Sequence, residues 1–167
     1  MNTPTAKDVA DIIGSVGDIV GKTKLQKTVA LLELAGLGPG FSFSYYLYGP
    51  YSEQLATAVD RGVLLGLIRE EERVATWGGK YSVFKADHAD LQNAPKEELI
   101  RKASRADSIV LELAVTAAFL AANNEQSAWD KLMELKPDKA FGENLGRAKT
   151  LYEELRAIQT PTPLPNI

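Results

Sequence analysis

The chain has 167 residues, 19 Lys plus Arg against 22 Asp plus Glu, no cysteine and one histidine. That length fits one compact domain or a small pair sharing a core, and 45% hydrophobic with 25% charged residues is the composition of a folded soluble protein. The missing cysteines exclude disulfides, thiol catalysis and cysteine-ligated metal centres; the lone His88 excludes His-pair metal sites, and a net charge of −3 gives no overall attraction to nucleic acid or anionic lipid.

Thr5 and Asp8 form an approximate capping box for a first helix, and Val9, Ile12, Ile13 and Val16 recur at helical spacing. Gly14 and Gly17 weaken its end, and Gly21 opens a turn. A second helix spans about 23–35, with Leu25, Val29, Leu31 and Leu32 inward; Gly36-Leu37-Gly38-Pro39-Gly40 stops it. Phe41, Phe43, Tyr45 and Leu47 then alternate with smaller or more polar neighbours, which predicts a short strand ended by Gly49-Pro50. Ser52 is placed to cap a third helix over 53–65 that buries Leu55, Val59 and Val63. Two extended runs around Gly78-Gly79 predict a β-hairpin.

The second half reads as helical. Pro95 suits a first helical position, and a helix from there runs toward Val110 with no obvious stop. From Ile109 to Ala122 the chain is apolar on nearly every face except a stripe of Ser108, Glu112 and Thr116, so this helix is expected to be central. A buried Glu112 needs a cation, and Arg101, Arg105 and Arg147 are candidates. Shorter helices carrying Trp129, Leu132 and Met133, then Leu145, Ala148, Leu151, Tyr152, Leu155 and Ile158, complete the pattern. The tail after Thr160, with three prolines, is expected to be extended and frayed.

The fold class expected is therefore α+β, mostly α: a winged-helix-like three-helix unit with a β-hairpin wing over 1–90, a helical layer sharing its core over 91–159, and a Pro-rich tail over 160–167. No apolar run reaches the roughly 20 residues of a membrane span, and the N-terminus lacks a signal-peptide pattern, so a cytoplasmic location is expected.

Chemical motifs are scarce. Gly21-Lys22-Thr23 ends like a phosphate-binding loop, but Gly17 leaves three residues before Gly21 and Gly14 leaves six, where that loop needs four. His88 sits in a polar loop without a partner ligand, and no Gly-x-Ser-x-Gly elbow occurs. Glu70-Glu71-Glu72 reads as a charged sheet edge. No catalytic, cofactor or metal residue is assigned. The densest feature is aromatic: Phe41, Phe43, Tyr45, Tyr46, Tyr48 and Tyr51 fall within 11 residues, and no Lys or Arg lies between Lys27 and Arg61. Base-stacking platforms are normally set in basic grooves, so this segment points to the core or to a protein contact. Residues 51–100 hold six basic against nine acidic side chains, so the third helix and hairpin are poorly charged for DNA.

Lys24-Leu25-Gln26-Lys27, then Tyr48-Gly49-Pro50-Tyr51-Ser52, Leu55 and Gly66-Leu67-Ile68 resemble the YwgA-like bacterial proteins and, more distantly, the Panacea-type (SocA-like) antitoxin domain. Leu111-Glu112-Leu113-Ala114 and Leu135-Lys136-Pro137 extend the first resemblance. The Panacea-type resemblance implies an antitoxin-like action by protein contact; with the tyrosine-rich segment free of basic residues and the acidic third helix and hairpin, the expected function is a non-enzymatic regulatory or antitoxin-like module that acts by protein–protein binding. The partner-binding candidates are Tyr45, Tyr46, Tyr48, Tyr51, Glu53 and Thr57, and a homodimer through the second half is expected. The alternative is a winged-helix DNA-binding regulator with Lys22, Lys24, Lys27 and Arg61 on phosphates. Within the matched motif, Tyr48 and Tyr51 flank a fixed turn, Leu25 is core, and Gln26 is positioned to bond the turn's backbone.

Overall fold

The computed structural model describes residues 3–46 and 49–167. In chain order the elements are α1 (Ala6–Val16), β1 (Asp18–Val20), α2 (Lys22–Leu34), β2 (Ser44–Tyr46), β3 (Gly49–Tyr51), α3 (Glu53–Leu64), β4 (Arg69–Val74), β5 (Lys80–Lys85), α4 (Ala94–Arg105), α5 (Ser108–Ala122), α6 (Ala128–Leu135) and α7 (Asn144–Arg156). The chain is α+β and mostly helical. Its strands form one three-stranded antiparallel sheet, ordered β1-β5-β4, and one two-stranded ribbon, β2-β3.

Local signals place most of these elements. Thr5 and Asp8 make the reciprocal capping box on α1, and the Ser52 side chain caps α3 by accepting from the Leu55 N–H at 3.0 Å. The β4-β5 hairpin turns at Gly78-Gly79, and β4 is the exposed edge strand bearing Glu70, Glu71 and Glu72. Gly14, inside α1, is where the helix meets the strand exiting β5: a Cβ there would lie 2.1 Å from the Asp87 carbonyl oxygen. The glycine permits close packing rather than ending the helix.

Several expectations change. Among the described residues the strand over the aromatic segment begins only at Ser44 and spans Ser44–Tyr46, and Gly49-Pro50 belongs to the second strand of a ribbon. Asp18–Val20 forms a strand by antiparallel pairing with β5, with Ile19, its middle residue, buried; three residues are too few to show a period in the sequence. Val63 is 37% exposed, since eight positions along a helix carry it about 80° past Leu55. α4 does not run into α5: Ala106 is extended, and Asp107 caps α5 by accepting from the N–H groups of Ile109 and Val110. The tail is extended but not frayed. Leu164 is buried, the Thr162 N–H donates to the Ala35 carbonyl, and the Tyr152 hydroxyl donates to the Pro165 carbonyl.

α5 is central as expected, packed against α2, α6, α7 and β3. One hydrophobic cluster runs through α1, α2, α3, α4, α5 and α7, so both halves of the chain share a core. Among the described residues no helix is long and apolar enough to cross a membrane.

Candidate functional site: a tyrosine ribbon bolted over buried charges

The residues Lys24 to Lys27 form part of the first two turns of α2, and they meet the β2-β3 ribbon directly. Leu25 enters the core. The Gln26 amide grips the backbone of Ser52 from both sides: Nε2 donates to the Ser52 carbonyl at 3.0 Å, and the Ser52 N–H donates to Oε1 at 2.9 Å. This is the turn contact that the motif suggested. Lys27 donates from Nζ to the Pro50 carbonyl at 2.7 Å. A second clamp holds the ribbon's entry, where the Gly40 and Phe41 N–H groups donate to Glu33 Oε2 at 2.9 and 2.6 Å. Burial pushes the Glu33 carboxyl up from its ordinary value, and these two bonds oppose that shift.

Beneath the ribbon lies a buried charge cluster. Glu112 on α5 accepts from Lys136 Nζ at 3.1 Å and from Lys139 Nζ at 2.6 Å, with the Glu112 and Lys136 side chains only 3% and 4% exposed. The expected arginine partners are not used. Arg101, Arg105 and Arg147 are solvent-exposed, whereas the end of α6 and the turn after it bring both lysines onto Glu112. Burial lowers the Lys27 ammonium to about 8; Glu112 opposes this, and Lys136 and Lys139 reinforce it. Gly49 packs closely on α5 beside Lys27: it has φ +90°, and a Cβ there would lie 2.3 Å from Thr116 Oγ1. Only glycine fits.

Two tyrosines of the ribbon stay open, one on each face of β2. Tyr45 and Tyr46 are 39% and 49% exposed. Burial and the nearby Glu112 carboxylate hold the Tyr45 hydroxyl above the ordinary phenol value. The Tyr46 ring packs on Tyr51 at 5.5 Å between centroids, and its hydroxyl donates to Glu53 Oε1 at 3.3 Å. Thr57 is exposed one turn further along α3. Three of the six partner-binding candidates, Tyr46, Tyr51 and Glu53, thus form one continuous patch, while Tyr45 lies on the other face of the ribbon with its cross-strand partner Pro50. Tyr48 lies outside the described residues. The aromatic run as a whole is divided: Phe41 is core and Phe43 half-buried.

The alternative phosphate set does not assemble. Lys27 is buried and bonded to Pro50, so it cannot reach an external phosphate. Lys22 and Lys24 line a hollow with Lys80 and Glu72 at the start of α2, where burial lowers Lys24 and Asp107 opposes that shift. Arg61 is exposed on α3 and is not among the walls of that hollow. His88 is a solvent-exposed loop residue, and among the described residues no group of three or more acidic, histidine or cysteine side chains is placed to hold a metal.

Sequence reasoning missed Lys136, Lys139 and Glu33. Lys136 entered the sequence pattern only within Leu135-Lys136-Pro137, and no spacing links it to Glu112, 24 residues earlier. The one usable signal was general: a glutamate on an all-apolar helix requires a cation somewhere.

Element order and packing define a mostly helical α+β protein whose second helix clamps a short ribbon against the start of the third. Over 155 residues, 88% of this chain and 93% of the other, it is 25% identical to the uncharacterised protein YwgA of Bacillus subtilis (strain 168). That relation supports a YwgA-like group. No family model matches the chain, and no solved structure does.

Proposed function

We propose that this chain is a non-enzymatic regulatory module, antitoxin-like in its mode of action, that binds another protein through the Tyr46–Tyr51–Glu53 patch and Tyr45 on the neighbouring face of the same ribbon. The observation that carries this reading is the contrast between the ribbon's backbone and its side chains. The backbone in and beside the ribbon is fixed by Gln26, Lys27 and Glu33, while two of its tyrosines, Tyr45 and Tyr46, are left exposed. Rigid tyrosines present a large amphipathic contact area at low entropic cost, which suits recognition of a protein surface. The more distant Panacea-type resemblance agrees with this mode of action. A cytoplasmic homodimer is part of the same proposal.

DNA binding through Lys22, Lys24 and Arg61 is the second reading, favoured by the basic hollow at the start of α2. The acidic residues Glu53 and Asp60 on α3 and Glu70, Glu71 and Glu72 on β4 oppose it, because they would repel the phosphate backbone.

The test is purification of the tagged chain from its native cells beside a Tyr45→Ala/Tyr46→Ala variant. A stoichiometric protein partner that the variant loses supports the proposal. A chain that purifies alone and shifts duplex DNA with steep salt dependence supports the second reading instead.

A further inference from the structure

Between α2, α3 and the hairpin sheet runs a groove of about 280 Å³. Leu25, Leu55, Val59 and Phe84 build its floor, and Asp60 and Glu70 stand on its rim with Lys22 at one end. The rim carboxylates differ from their neighbours. Glu71 is paired with Arg73 and Lys85, and Glu72 with Lys80. Asp60 and Glu70 have no ion-pair partner among the described residues; Glu70 Oε2 accepts only from the Ser82 hydroxyl, at 2.6 Å. Two carboxylates without an ion-pair partner therefore line an apolar floor, against a single lysine, Lys22, so the groove carries net negative charge.

The complement of that arrangement is a side chain with an apolar stem and a cationic head. Arginine supplies both: methylenes to cover the floor, and a planar fork that can donate to two carboxylates at once. The groove is also continuous with the tyrosine patch, because Tyr51 lines it and packs on Tyr46. We infer that this groove receives an arginine side chain from the same partner polypeptide that covers the ribbon. The inference rests on the proposed partner-binding function and adds the charge and chemistry of the segment bound.

The test is titration of the ¹⁵N-labelled chain with the peptides Ac-Leu-Arg-Leu-NH2, its citrulline counterpart and Ac-Leu-Glu-Leu-NH2. The arginine peptide is expected to give saturable shifts at the amides of Ala56, Asp60, Glu70 and Phe84. Citrulline keeps the shape and loses the charge, so its binding is expected to be about tenfold weaker, and the glutamate peptide is expected not to bind there. Asp60→Asn with Glu70→Gln, both at exposed positions, is expected to abolish the preference for arginine over citrulline. Equal response to all three peptides, shifts elsewhere, or no response overturns the inference. A groove-filling Ala56→Trp variant, checked for native circular dichroism, separates the two proposals in the purification assay. If it keeps a partner that the tyrosine variant loses, the groove inference falls and the ribbon reading stands. If sedimentation shows that Ala56→Trp turns a dimer into a monomer, the occupant is a second copy and the inference also falls.

Discussion

Replacing Lys27 with methionine tests the buried cluster through its pH dependence. The Lys27 ammonium lies at about 8, against an ordinary value of 10.5, because burial disfavours its charge more than Glu112 favours it. Below about pH 8 the lysine is charged in both folded and unfolded chains, and the folded state bears the whole desolvation cost. Between about 8 and 10.5 it is neutral when folded and still protonated when unfolded. The unfolded state then binds more protons, so stability rises with pH across that window. At about 1.4 kcal/mol per pH unit, the wild type gains roughly 3 kcal/mol relative to Lys27→Met. The neutral amine still donates to Pro50, so that bond does not cancel the gain. Methionine also leaves the Pro50 carbonyl without its donor, at a cost of about 1–3 kcal/mol that does not vary with pH. Urea unfolding of both proteins from about pH 7.5 to about pH 10.5, followed by circular dichroism, reads the difference; titrating groups that do not interact with Lys27 cancel between the two. A difference that is flat or falls with pH refutes the reasoning. In a Glu112→Gln background the rise is expected to begin at lower pH, because the opposing carboxylate is gone.

Gln26→Ala removes both bonds to Ser52, and a loss of about 1–3 kcal/mol is expected, with faster hydrogen exchange at the Ser52 and Leu55 amides. Gly49→Ala is expected to destabilise by about 1–3 kcal/mol, through its positive φ and the collision with Thr116; adding Thr116→Ala relieves only the collision, so thermal melts should show partial recovery. Leu164→Ala is expected to cost about 2–3 kcal/mol in urea unfolding, whereas a frayed tail would give no change.

Much of the path was legible locally. Caps at Thr5 and Ser52, the Gly78-Gly79 turn and the apolar run of α5 are short-range signals, and the chain obeys them. The motif residues were legible in a weaker sense: the sequence suggested that Gln26 meets the turn, but the spacing of Lys27 equally allowed an outward, phosphate-facing lysine. Burial decided between those, and it depends on α5 lying across α2. Glu112 illustrates the same limit. Its position on an apolar helix demanded a cation, yet the choice between three arginines and two lysines depended on the course of the turn after α6.

The composition alone, without cysteine and with one histidine, determined that thiol chemistry and His-pair metal sites are absent, because those reactions require specific atoms that the chain lacks. Periodicity and caps determined the helices and the hairpin, because helix and strand formation are decided largely by neighbours a few residues apart. The tertiary structure alone decided which tyrosines face outward, which lysine is buried at about 8, and which carboxylates remain unpaired beside a groove. Those properties arise from contacts between segments far apart in the chain, and their energies follow burial and distance rather than spacing along the sequence.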